Sequence, residues 1–143
     1  MYKKISLVVF IAIIMFLFAG CDPSIGLAFD DIKGEWEFPA DASDDYGPHI
    51  SIMESEGDKM LDISWYDGSD FYFCYGDGSY DNGTFSLTYG YSIDYFDPLI
   101  TDTSGSGATV TVTFTYANSK LKAVCSGTGP LNGKTFNLGV LAP

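Results

Sequence analysis

The residues able to do chemistry are few, and their spacing argues for binding rather than reaction. His49 is the only histidine in 143 residues, so no cluster of imidazoles can hold a transition metal. It also lacks a Gly-x-Ser-x-Gly or other nucleophile motif to activate. Glu35 and Glu37 fall on one face of a short extended run, roughly 7 Å apart by strand geometry, a spacing found between glycosidase carboxylates. Those enzymes usually flank the sugar from different strands; two glutamates of one strand beside Trp36 read more simply as solvated charges. The run Asp77-Gly78-Ser79-Tyr80-Asp81-Asn82-Gly83 sets oxygen side chains at alternating positions. It lacks the sixth-position glycine and the distal glutamate of a calcium loop, since position twelve is Thr88. No catalytic residue, metal ligand or cofactor is expected, and the chain reads as a non-enzyme. What it does offer is aromatic surface. Aromatic residues are 16% of the chain and crowd between 65 and 96. Trp65, Phe71, Phe73, Tyr75, Tyr89 and Tyr91 are candidates to line an apolar cavity or to stack on sugar rings. Core packing is the alternative for each of them.

The N-terminus decides where these side chains work. Lys3 and Lys4 precede an apolar run from Ile5 to Phe18, broken only by Ser6, and then come Ala19, Gly20 and Cys21. A positive start, a short apolar core and small residues are the marks of a secretory signal peptide. Asp22-Pro23 stops the run short of the ~20 residues that a spanning helix needs. The stretch Leu17-Phe18-Ala19-Gly20-Cys21 resembles the lipobox of bacterial lipoproteins. It departs from that pattern at Phe18, where leucine is usual. The resemblance implies cleavage between Gly20 and Cys21, lipidation of the Cys21 thiol, and attachment to a bilayer on its extracytoplasmic side. Stable attachment takes two or more acyl chains, which lipoprotein processing supplies. Whether the membrane is inner or outer stays open.

Cleavage would leave 123 residues, enough for one domain with its own core. Two of the seven lysines go with the signal, so five remain against 19 acidic residues, a net charge of −14 with no arginine. Phosphate binding needs lysine and arginine, which argues against nucleic acid. The same charge disfavours adhesion to anionic lipid headgroups. It suits solubility first, and a cation or a basic protein partner second. Residues 21–31 read as the lipidated cysteine and a short tether, which as a flexible chain reaches only about 15–20 Å.

From residue 32 to 143 the pattern repeats every two residues. Val110, Val112, Phe114 and Tyr116 alternate with Thr109, Thr111, Thr113 and Thr115, as in a half-buried strand. Phe85, Leu87, Tyr89, Tyr91, Ile93 and Tyr95 do the same over residues 84–95, with a bend expected at Gly90. Weaker alternation marks strands near 33–38, 49–55, 59–66, 70–76, 120–126 and 135–140. Tight turns are expected at Glu56-Gly57, Asp67-Gly68, Asp77-Gly78, Asn82-Gly83, Asn118-Ser119 and Asn132-Gly133. One long break is expected at 97–107, and no helix of any length. About eight short strands joined by hairpins imply an all-β antiparallel up-and-down barrel, with a β-sandwich as the alternative.

Gly34-Glu35-Trp36 on the first strand, followed by this meander, resembles the lipocalin and avidin group of small barrels. The resemblance implies that Trp36 plugs the closed end and that the barrel holds a small apolar ligand. Lipocalins often stack an arginine on that tryptophan; here Lys134 is the poor substitute. The other readings are an acidic interaction or inhibitor module and a sugar-binding sandwich. Cys74 and Cys125 are a possible disulfide in an oxidising compartment. Cys125 shares a face with Leu121 and Ala123 and should point inward. If Cys74 points inward to meet it, then Phe71, Phe73 and Tyr75 must face out, because side chains alternate.

Overall fold

A computed structural model describes residues 26–40, 47–95 and 102–143. The signal segment, Gly20, Cys21 and the first residues of the tether lie outside the described residues. The alternating pattern becomes eight strands: β1 (Gly34–Glu37), β2 (His49–Ser55), β3 (Asp58–Tyr66), β4 (Asp70–Asp81), β5 (Thr84–Tyr95), β6 (Thr103–Ala117), β7 (Lys120–Gly127) and β8 (Thr135–Leu141). Each pairs antiparallel with the next. β8 returns to β1 through Trp36 opposite Leu141 and Glu37 opposite Val140. The sheet is therefore a closed up-and-down barrel with no free edge, and the sandwich alternative is excluded.

Three hairpins close one end with two-residue turns whose residues sit at positive φ: Glu56-Gly57 at 54° and 93°, Asn82-Gly83 at 52° and 86°, Asn118-Ser119 at 53° and 59°. Such turns match the twist of the flanking strands. The chain enters at this same end. Residues 29–32 form a single helical turn, α1 (Phe29–Ile32), where only a free tether was expected. Its apolar residues explain it. Ile32 is fully buried, and Phe29 meets the edge of Tyr80 at 5.3 Å. The Tyr80 hydroxyl donates to the Leu27 carbonyl at 2.6 Å. Trp36 plugs this end as the barrel resemblance implies, its indole N–H donating to the Ile32 carbonyl at 2.6 Å. Its ring partner is Tyr116, edge-on at 5.6 Å. Lys134, the suggested partner, starts from the opposite end of the barrel and lies over Trp65 instead.

Inside, Ile50, Ile52, Leu61, Ile63, Phe85, Val112 and Leu121 are sealed from solvent. β4 turns Gly76 and Gly78 toward this core. A Cβ at Gly78 would come within 2.2 Å of the Ser86 carbonyl oxygen and 2.8 Å of Leu87. The two glycines thus let β5 approach closely. Asp77-Gly78 is consequently mid-strand rather than a turn, and β4 runs unbroken to Asp81. The calcium-like segment is extended through Asp81, so Asp77 and Asp81 share the outer face with Ser79 rather than converging in a loop. The expected break at 97–107 is also too long. β6 begins at Thr103, and Ser104 and Gly105 already pair with Ser92 and Tyr91. Glycine and serine, read as loop, are accommodated because Tyr91 lies across Gly105, where a Cβ would meet its ring at 2.5 Å. The bend near Gly90 is present as a register shift between Tyr89 and Tyr91.

Candidate functional site at the barrel mouth

The end opposite α1 is the mouth, where β1, β3 and β7 end and β8 begins. Half of it is capped. Residues 128–133 fold over the barrel, inserting Leu131, which is buried. Tyr89 holds this cap: its hydroxyl donates to the Thr128 carbonyl at 2.7 Å and accepts the Leu131 N–H at 3.2 Å. Tyr89 is therefore a structural tie. Tyr91 is likewise committed, to covering Gly105.

The other half is a cleft of about 560 Å³, within the usual range for small-molecule sites. Trp65 and Phe136 form its floor with Phe38, at ring-centroid separations of 6.0 Å for Trp65–Phe136 and 5.9 Å for Phe38–Phe136. Periodicity places them there. Trp65 ends the inward series Leu61, Ile63, Trp65, and Phe136 is the first inward residue of β8. Behind the floor Tyr72 stacks on Trp65 at 4.7 Å and 3°. Asp67 fixes that stack from a tight turn, accepting the N–H groups of Ser69 and Asp70 at 3.2 and 3.1 Å. Burial raises the Asp67 pKa, but these N–H groups and the hydroxyls of Tyr72 and Ser69 outweigh it and hold the carboxyl below its ordinary value. Burial and then Asp67 push the Tyr72 phenol up to about 12.

Two polar groups belonging to this surface lack a committed partner. The Lys134 ammonium stands 5.3 Å from the Trp65 ring centre and 6.0 Å from that of Tyr72, and among the described residues it makes no ion pair. The indole N–H of Trp65 is buried and has no hydrogen-bond partner, an expensive condition for a donor. At the lip, Leu138 sits at φ 65° and is 60% exposed. A bulky residue in the left-handed region marks local strain of the kind that gathers at binding sites. The cleft can therefore take a flat apolar body and offer the Lys134 charge to its end.

The sequence singles out Trp65 but not Phe38 or Phe136, and it assigns Lys134 to Trp36 instead. Those three lie 27 to 71 positions from Trp65 along the chain, and only barrel closure brings β8 beside the loop after β1. Phe71, Phe73 and Tyr75 are elsewhere, on the outer wall, where Phe73 is 37% and Tyr75 51% exposed. Cys74 and Cys125 both point inward and are buried free thiols. Glu35 stays outside with its carboxylate 3.9 Å from His49. The described residues hold no group of three metal-ligating side chains. A larger hollow of about 670 Å³ on the outer wall of β4–β7 is shallow and lined by hydroxyls such as Ser86, Thr88, Thr109 and Thr111. Threonine suits solvent-facing strand positions without further cause. No family model, curated protein or solved structure matches this chain.

Proposed function

We propose that this protein is a non-catalytic, lipid-anchored envelope protein whose barrel mouth binds a small ligand with an apolar body and an anionic end. The observation that carries the reading is the Lys134 ammonium, without an ion pair among the described residues, over the aromatic floor of the cleft. An anionic group on a ligand gives that ammonium a charge-assisted hydrogen bond, which is the stronger kind. Orientation supports the same reading. The tether from Cys21 enters at the α1 end, so an anchored barrel turns its mouth away from the bilayer. β3 alone, nine residues at about 3.3 Å each and tilted by about 40° as barrel strands are, sets the cleft roughly 20–25 Å above the anchored end. The net charge of the protein opposes an anion at long range, but at 0.15 M salt the screening length is about 8 Å; locally Lys134 shares the cleft with Asp67, whose carboxylate is occupied by the N–H groups of Ser69 and Asp70.

Anilinonaphthalene sulfonate, an aromatic anion, is a suitable probe in 0.15 M salt. Saturable one-to-one fluorescence enhancement is expected, with Lys134→Met about tenfold weaker, in line with the loss of one charged hydrogen bond. Equal binding by Lys134→Met refutes the anionic end. No saturable binding at all refutes the cleft. Anchoring is checked separately by fractionating cells that carry Cys21→Ser. Release of that variant from the membrane is expected, and an unlipidated wild type with Met1 to Gly20 still attached would refute it.

A further inference from the structure

The outer wall of β3 and β4 holds an arrangement that the mouth cleft does not use. Cross-strand pairing sets Met60 opposite Asp77, Asp62 opposite Tyr75 and Ser64 opposite Phe73. Between them lies a hollow of about 340 Å³ lined by Met60, Asp62, Phe73, Tyr75, Gly76 and Asp77. Phe73 and Tyr75 stack on each other at 5.6 Å and 27°. Tyr75 lies over Gly90, where a Cβ would meet its ring at 2.9 Å, so one ring face is spent on the sheet and the other looks out. Covering a glycine accounts for that pose, but not for the carboxylate beside it. One oxygen of Asp62, Oδ1, is sealed from solvent and has no hydrogen-bond partner.

An acceptor desolvated in this way asks for a donor, and among the described residues none bonds to it: His49 acts on the Asp62 charge through space but gives Oδ1 no hydrogen bond. Lys33 and Lys59 are engaged by Glu54 at 3.8 and 3.7 Å, and Lys134 is at the mouth. We propose that this hollow is a second binding site, for an organic ammonium group, held by the Asp62 and Asp77 carboxylates against the Phe73 and Tyr75 rings. The chemistry is selective. A hard metal ion wants several oxygens, whereas Met60, Phe73 and Tyr75 present soft, polarisable surface. An alkylammonium gains from a ring face and a carboxylate together. The acidic surface concentrates such cations around the protein. The site is separate from the mouth cleft and stands or falls independently of it.

The test is a titration of the full-length protein in detergent, with methionine methyl groups carrying carbon-13, by tetramethylammonium chloride at constant ionic strength. A saturable shift of the Met60 methyl is expected at millimolar concentration. Asp62→Asn should weaken binding at least tenfold while keeping the fold, because burial already disfavours the charge that it removes. Phe73→Leu, which keeps apolar bulk but loses the ring, should weaken it several-fold. A shift that never saturates, or one unchanged in Asp62→Asn, overturns the proposal. Trilysine peptide in place of tetramethylammonium separates the sources. Tighter binding by the peptide supports the site as a receptor for lysines of a basic protein, and tighter binding by tetramethylammonium supports it as a site for a small quaternary amine.

Discussion

Cys74 and Cys125 show how far a single side chain's surroundings govern its chemistry. Both are buried, at 1% and 2% exposure, and burial pushes each thiol up to about 12, with Cys125 adding to the effect at Cys74. The thiolate is the reactive species, so neither thiol reacts at ordinary pH while the barrel is closed. With the pair in its free-thiol form, iodoacetamide at pH 8 should leave both unmodified in the native protein and modify both in denaturant. Rapid native modification of either would show that the barrel opens near β4 or β7. Alternation made the inward direction of Cys125 legible; that of Cys74, and with it the exposure of Phe73 and Tyr75, was tied in the sequence to a pairing of the two thiols, and the fold turns Cys74 inward without one. The environment that silences the thiols was not legible, because periodicity turns Tyr89 and Val112 inward without saying that they meet these thiols or that residues 128–133 fold over them.

Among the elements, β4 departs furthest from its sequence signature. Twelve residues with glycine at 76 and 78 read locally as a strand and a turn. The strand continues because Leu87 of β5 occupies the space that side chains there would fill. Gly78→Ala should therefore destabilise the protein by about 3 kcal/mol, the upper range for overpacking, since its Cβ would strike the Ser86 carbonyl. Urea denaturation measures this. A cost under about 0.5 kcal/mol, typical of surface changes, would mean that β4 and β5 part more readily than the structure shows. β6 teaches the same lesson from the other side: its Ser-Gly-Ser-Gly start pairs because Tyr91 covers Gly105. Glycine in both strands marks a close approach, and a one-dimensional reading takes it for a turn.

For the whole molecule, charge and topology act together. The chain after Gly20 carries a net charge of −14 by its own residues, and the two lysine–glutamate ion pairs among the described residues are loose, at 3.7 and 3.8 Å. Self-repulsion of this kind destabilises a compact state and is screened by salt. The thermal midpoint should rise by a few degrees between about 10 and 150 mM sodium chloride, as scanning calorimetry can record. A midpoint that falls over that range would mean that attractive pairs outweigh the repulsion.

The sequence by itself determined the all-β class, the strand count and most of the inward and outward faces. Each of these follows from local spacing: a period of two, turn residues at positive φ, and an apolar side chain at every second place. Only the tertiary structure decided that the sheet closes, that Tyr89 is a tie rather than a ligand contact, and that Phe38, Trp65, Lys134 and Phe136 share one cleft. Those outcomes depend on which strand ends meet when β8 pairs with β1. That pairing rests on contacts more than 100 residues apart along the chain, from Trp36 to Leu141, whose free energy appears only once the whole barrel has formed.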